Sequence, residues 1–280
     1  MVIPAGPADD APDTVASVLH YLTELALVVV VDDTNGGAGM DALRELGPPV
    51  TVIPAPNARP GKFGGLWTKI CAGFRYALEN AEFDLLIRMD ADALMIGPGL
   101  AAEAARRFAA EPGLGMLGSY RIGPDGGQRD FAPAERLLSR EIGPRGLRHP
   151  GLRTLLGRLV DEAREHGYVM GEHALGGLCV ARVELMRSLS RRGLLDSLDL
   201  ELSRAGEDHI FALLCRAAGF SLGDFGGPGD PLALRWKGLP SAPEQLLDEG
   251  RLATHSVRFW QDLDEREIRQ FFAKRRTSSI

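Results

Sequence analysis

The run LALVVVVDD, residues 25 to 33, decides how this chain folds. Four consecutive valines followed by two aspartates have no period-2 alternation. A continuous β-branched run of this length is the mark of a strand covered on both faces, as in a parallel sheet. The segments around it extend the pattern. MVIPA (1–5) reads as a first strand, DTVASVLHYLTEL (13–25) as a helix with Asp13 placed to cap it, and DALREL (41–46) as a second helix. VTVIPA (50–55), LWTKICAGFRYALENA (66–81) and FDLLIRMD (83–90) continue the alternation as strand, helix and strand. Strand and helix in turn imply βαβ units with right-handed crossovers, hence an α/β fold with a mostly parallel central sheet flanked by helices.

Further along, residues 121–150 are rich in Gly, Pro and Arg and read as a long excursion rather than a linker, because patterned segments resume beyond them. LRTLLGRLVDEAREHG (152–167) reads as a helix, ALGGLCVAR (174–182) as a strand entered through two glycines, and EDHIFALLCRAAG (207–219) as a helix closed by Gly219. The remainder, from DPLALRW onward, reads as an extension packed on the domain.

Composition excludes several classes. The 280 residues are 45% hydrophobic, enough to bury a sizeable core, and the formal net charge of -6 offers no basic field for nucleic acid. No apolar run reaches the roughly 20 residues of a transmembrane helix, and a strand-like segment stands where a signal peptide would begin, so a cytoplasmic protein is expected. The three cysteines lie far apart in apolar segments and read as buried hydrophobes, not as zinc ligands or disulfide partners.

The stretch FDLLIRMDADALMIGPG (83–99) carries the chemistry. Residues two apart in an extended segment point to one side, so Asp90 and Asp92 can converge, with Arg88 on the same face. Two hard oxygen donors leaving the carboxyl end of a parallel strand suit a divalent cation carrying phosphates. The alternative is a pair of solvated turn residues, with Asp92 capping the next helix.

The segments VVVVDDTN, KFGGLWTKICAGFRYALE, LLIRMDADALMI and GEDHIFALLCRAAGF occur in the order seen in GT-A glycosyltransferases, especially the large family 2 group, which the chain resembles to about Phe220 and more weakly beyond. The resemblance implies one GT-A domain over residues 1–280. A Rossmann-like nucleotide-sugar-binding half would span 1–120, an acceptor-binding half 121–240 and an extension 241–280. It implies a nucleotide-diphosphate sugar donor, an acceptor whose identity the sequence leaves open, and Mn2+ or Mg2+ as cofactor. Asp90, Ala91 and Asp92 would bind metal and diphosphate. Asp32 and Asp33 would meet the base or ribose, although Asp33 also suits the turn formed with TNGG; Pro4 and Ala5 would border the nucleotide at the end of the first strand, and Lys62, Lys69 and Arg88 would add positive charge, Lys69 equally reading as a solvated helix residue.

Glu207 and Asp208 map onto the pair that supplies the base in inverting members, with Asp208 as base and Glu207 in support; as acidic residues at a helix start they also have a purely structural explanation. Gly176 and Gly177 resemble the small-residue loop under the sugar, although glycines there would equally relieve crowding. Trp236 offers an aromatic face for the acceptor, or else simply core packing. His255, in ATHSVR, offers an imidazole ligand to the metal from a late segment folded over the donor, or a structural hydrogen bond.

Rival classes are a sugar nucleotidyltransferase, a haloacid-dehalogenase-like phosphatase and a non-catalytic nucleotide-sugar-binding protein. The first lacks its Gly-rich basic loop after strand one, where the chain reads IPAGPADDAPD, and the second lacks the Thr or Val commonly found two residues after the second Asp, where DADALM has Leu94.

Overall fold

A computed structural model describes residues 1–6, 10–34, 36–57 and 64–278. Twelve strands and ten α-helices lie in these segments. The strands are β1 (Val2–Ala5), β2 (Val28–Asp32), β3 (Val50–Pro54), β4 (Leu85–Met89), β5 (Ala93–Met95), β6 (Leu114–Gly118), β7 (Leu178–Arg182), β8 (Ser221–Asp224), β9 (Leu232–Leu234), β10 (Ala253–His255), β11 (Phe259–Trp260) and β12 (Leu263–Asp264). The helices are α1 (Ala11–Tyr21), α2 (Ala38–Glu45), α3 (Gly64–Asn80), α4 (Leu100–Ala110), α5 (Ala132–Ile142), α6 (Pro150–Glu165), α7 (Val183–Arg191), α8 (Glu207–Ala217), α9 (Pro243–Asp248) and α10 (Glu265–Ser278).

A seven-stranded sheet in the order β3-β2-β1-β4-β7-β6-β8 forms the centre. Within it only β7 runs against the others, pairing antiparallel with β4 and with β6. The α/β architecture expected from the sequence is therefore present, with β1 to β4 forming the Rossmann-like half. The valine run is buried on both faces, as its composition requires. Val29 and Val31 face a core shared with α3, α6 and α8, while Val28 and Val30 face one shared with α1, α2 and α4. Helix α3 can lie this close to β1 because Gly73 has no side chain; a Cβ there would stand 2.4 Å from Val2 Cγ1.

Two local expectations change. Asp10, not Asp13, caps α1, accepting from the Asp13 N–H at 3.3 Å, and Asp13 sits in the first turn with its carboxylate turned to α10. Within 121–150 the excursion contains α5: Pro133 starts the helix, and Ala134 and Leu138, one turn apart, supply its buried stripe. The Gly and Pro content of the flanking segments had masked that spacing.

The final third of the chain builds more than an extension. β9 and β10 join β5 in a second sheet, ordered β5-β10-β9. Its outer face is covered by α9 and α10 through Leu94, Ile96, Leu246, Ile268 and Phe272. That sheet fixes one side of the candidate site.

Candidate functional site

The carboxyl ends of β1, β2 and β4 lie on one edge of the central sheet. Because β7 is antiparallel and Met89 pairs with Leu178, the residues that precede β7 come to that same edge. Gly176 and Gly177 thus meet Asp90. The Asp90 N–H donates to the Gly177 carbonyl at 2.7 Å, and the Gly177 N–H donates to Asp90 Oδ2 at 3.2 Å. Gly177 has φ of +64°, and a Cβ there would stand 2.6 Å from His255 Cγ, so only glycine fits between the aspartate and the imidazole.

His255 reaches the aspartates through register. In the second sheet His255 pairs with Ala93, the residue after Asp92. Asp90, Asp92 and His255 bring one ligand atom each to within 4.8 Å of one another. His255 Nε2 is 3.2 Å from Asp92 Oδ1 and 3.8 Å from Asp90 Oδ2. Its other nitrogen, Nδ1, is 2.8 Å from the Arg235 carbonyl, an acceptor only, so Nδ1 carries hydrogen and donates. In its neutral form the ring would aim the Nε2 lone pair at two carboxylates. That placement is repulsive unless a cation or a proton stands between them, and a backbone carbonyl on the far nitrogen is the usual support of an imidazole ligand. Two carboxylates and an imidazole fit a divalent cation such as Mn2+ or Mg2+.

Other groups steady Asp92. Ser256 Oγ donates to Asp92 Oδ2 at 2.9 Å, and Arg258 Nε donates to the same oxygen at 3.1 Å. Burial opposes its charge, but the His255 hydrogen bond and charge, with Arg258 and Ser256, hold the carboxyl well below the usual carboxylate range. His255 moves the opposite way: burial lowers it, and Asp92 and Asp90 raise it above the ordinary imidazole value.

Arg88 lies beneath the aspartates, 3% exposed. Its Nη2 is 2.7 Å from Asp90 Oδ1 and 3.0 Å from Glu207 Oε1, so one guanidinium links β4 to the start of α8. Burial raises Glu207 to about 7; Arg88 opposes the rise, and Asp208 and Asp90 add to it. Asp208 accepts from the His209 N–H at 2.9 Å and from the Gly176 N–H at 3.3 Å. Burial works against that carboxylate, yet His209, His173 and the His209 N–H hold it below its ordinary value.

His173, Asp208 and His209 form a second group spaced for a cation. The lone pairs of its two imidazoles are already used. Arg129 Nη2, always a donor, is 2.8 Å from His173 Nε2, and His173 Nδ1 faces the Gly171 carbonyl at 2.8 Å. The Gly206 N–H donates to His209 Nδ1 at 3.0 Å. Burial pushes His173 down to about 4, consistent with a neutral acceptor. The cluster is a hydrogen-bonded floor for Asp208, with the Arg129 charge disfavouring a cation.

Toward β2 and β3 the same edge opens into a cleft of about 590 Å³ lined by Asp32, Asp33, Arg44, Asn57, Gly65 and Lys69, among others. The two aspartates differ. Asp32 is buried and committed to its own turn, accepting from the Thr34 N–H at 2.8 Å and from Arg44 Nη2 at 2.8 Å. Asp33 is half exposed and pairs with the Lys69 ammonium. Pro4 and Ala5 are buried at the end of β1, where the Ala5 carbonyl accepts the Asp33 N–H at 3.0 Å. Ala91 is buried with its carbonyl turned away from the ligand atoms.

Trp236 stands at the rim, 75% exposed, with Lys237 Nζ 4.7 Å from its ring centre. It follows Arg235, whose carbonyl holds His255. Lys62 lies outside the described residues. Sequence reasoning missed His173, Arg129, Ser256 and Arg258. The spacing THSVR carried a signal for the last two; nothing in the sequence ties Arg129 to His173.

No family model matches the chain, and none of the curated proteins matches it. Among solved structures, it is similar to a mannosyltransferase from Pyrobaculum calidifontis in complex with GDP-Man and Mn2+, at 18% identity over 79% of this chain and 52% of that one, with a TM-score of 0.44. It is also similar to glucosyl-3-phosphoglycerate synthase from Mycobacterium tuberculosis in complex with Mn2+, UDP and glucosyl-3-phosphoglycerate, at 17% identity over 88% and 73% of the chains, with a TM-score of 0.42. LgtC is similar at 12% identity over 99% and 95%, with a TM-score of 0.47. The chain thus spans about half the length of the mannosyltransferase.

Proposed function

We propose that the protein is a GT-A glycosyltransferase that moves a sugar from a nucleotide-diphosphate sugar to an acceptor hydroxyl with the help of a divalent cation. The observation that carries this reading is the convergence of Asp90, Asp92 and His255 Nε2 at the carboxyl edge of the sheet. The adjoining cleft, with Asp33 and Lys69, is the place for the nucleotide. When bound, the cation supplies Lewis-acid stabilisation of a departing diphosphate. Asp90, Asp92 and His255 would hold it; Lys69 and Asp33 would orient the nucleotide; Trp236 would present its face to the acceptor sugar.

Asp208 is the assigned base. Its carboxylate stays ionised at neutral pH, and the N–H groups of Gly176 and His209 fix its direction. Proton removal from an attacking hydroxyl by Asp208 makes the transfer a single displacement with inversion at the anomeric carbon. Glu207, tied to Arg88, holds the start of α8 in place for it.

Incubation with a panel of nucleotide-sugars, Mn2+ and candidate acceptors tests the reading. Release of nucleoside diphosphate is the expected product; pyrophosphate would mark a nucleotidyltransferase, and donor binding without any turnover a binding protein. Proton NMR of the glycoside reads the stereochemistry, and a product that keeps the donor's anomeric configuration removes Asp208 from the role of base while leaving glycosyl transfer standing.

A further inference from the structure

Arg269, on α10, is far along the chain from the aspartates and 5% exposed. All three of its nitrogens are engaged. Nη2 donates to the Ala91 carbonyl at 2.9 Å, Nη1 to Asp13 Oδ2 at 3.0 Å and to Thr14 Oγ1 at 3.3 Å, and Nε to Glu265 Oε1 at 2.9 Å. Ala91 is the residue between Asp90 and Asp92, and its carbonyl belongs to the peptide unit that leads into Asp92. The direction of that peptide plane sets where the Asp92 side chain points.

Thr14 grips the same backbone from α1, its hydroxyl lying 2.7 Å from the Ala91 carbonyl and 3.1 Å from that of Ala93. Glu265 carries the network around to the side chain. Its Oε2 accepts from Arg258 Nη1 at 3.0 Å, and Arg258 Nε donates to Asp92 Oδ2 at 3.1 Å. Backbone and carboxylate of Asp92 are therefore both held from α10.

We propose that Arg269 is a positioning residue of the metal centre: by fixing the Ala91–Asp92 peptide it makes Asp90 and Asp92 converge on His255, so its loss weakens cation binding although it touches no ligand atom. This rests on the reading of Asp90, Asp92 and His255 as the cation's ligands. A buried guanidinium is tolerated where each of its nitrogens is paired, and its planar fork spans four acceptors that a lysine ammonium cannot reach together.

Arg276 provides the contrast. It sits on the same helix and also pairs with Asp13, but it makes no bond to Ala91. Substitution of Arg276 loosens α10 from α1 and leaves the Ala91 carbonyl held.

The test uses the full chain and Mn2+ alone, with free Mn2+ counted by electron paramagnetic resonance and folding followed by thermal denaturation in chelator. Arg269→Met and Arg269→Lys are expected to bind Mn2+ roughly tenfold or more weakly than wild type, the usual range for losing a ligand's support. Arg276→Met is expected to keep wild-type affinity even where its melting temperature falls. Wild-type affinity in folded Arg269→Lys, or an equal loss in Arg276→Met, overturns the proposal. If Arg269→Met does not fold, the lysine variant decides. A wild-type protein that binds no Mn2+ removes the metal reading itself, and the proposal with it, which differs visibly from a wild type that binds and variants that bind equally.

Discussion

At the scale of single residues, the metal reading depends on the tautomer of His255, and that depends on Arg235 offering a carbonyl. Gly177 is the residue that lets the ring lie against Asp90. Gly177→Ala forces a side chain into a left-handed backbone at φ of +64° and into the imidazole, so it should cost roughly 1–3 kcal/mol of stability in urea denaturation. Mn2+ affinity should fall with it, because the ring must move.

Glu207 gives a pH signature. Its folded-state pKa is raised to about 7 from 4.5, chiefly by burial, with Arg88, Asp208 and Asp90 as the charges facing it. The native state therefore holds this proton after the unfolded chain has lost it, so stability contributed by the group is full below pH 4.5 and declines as pH rises to about 7. Above that the contribution is flat. Glu207→Gln should remove this decline from a series of denaturation curves taken across the window; an unaltered slope contradicts the assignment.

The carboxylates were legible as candidates because acids leaving an apolar strand stand at the ligand-binding edge of an α/β sheet, although the same position also suits a turn, the role Asp32 takes. Partners such as Arg129 with His173 were not, since a pairing across 44 positions leaves no local pattern.

At the scale of elements, the strands with strong signals are those buried on both faces, above all β2. Short strands carried no signal. β5, β9 and β10 have three residues each, too few to display a period, and their sheet exists only because tertiary packing brings them together. What the sequence presented as an extension consequently supplies His255, one of the three candidate cation ligands. Helix α1 reaches the backbone between Asp90 and Asp92 as well, through the buried Thr14 hydroxyl. Thr14→Val keeps the shape and removes the donor, leaving the Ala91 carbonyl with Arg269 as its remaining partner. A loss of about 1–3 kcal/mol is expected in equilibrium denaturation, in line with the cost of disturbing a buried hydrogen bond. A neutral result would mean that Arg269 alone holds the turn.

At the scale of the whole molecule, the antiparallel strand β7 is the feature that joins the halves. By entering the sheet beside β4 in reverse, it lays Gly176 and Gly177 between Asp90 on one side and Asp208 on the other. The Asp90–Asp92–His255 group, the cleft beside Asp33 and Lys69, and Asp208 then line one edge of the sheet in succession. No helix among the described residues is long and apolar enough to cross a membrane. The cavity of about 780 Å³ near Met1, Leu27 and Asp84 lies at the opposite edge and takes no part in this arrangement.

A cation-dependent donor site built on Asp90, Asp92 and His255 is tested most directly by melting the protein with a panel of nucleoside diphosphates and nucleotide-sugars, with and without Mn2+. Binding to the native state alone raises the melting temperature, by an amount set by ligand concentration over Kd. The predicted result is stabilisation by at least one nucleotide-sugar that requires Mn2+ and disappears in Asp92→Ala. Indifference of the wild-type protein to the whole panel, or a stabilisation that persists without Mn2+ and in Asp92→Ala, would contradict it.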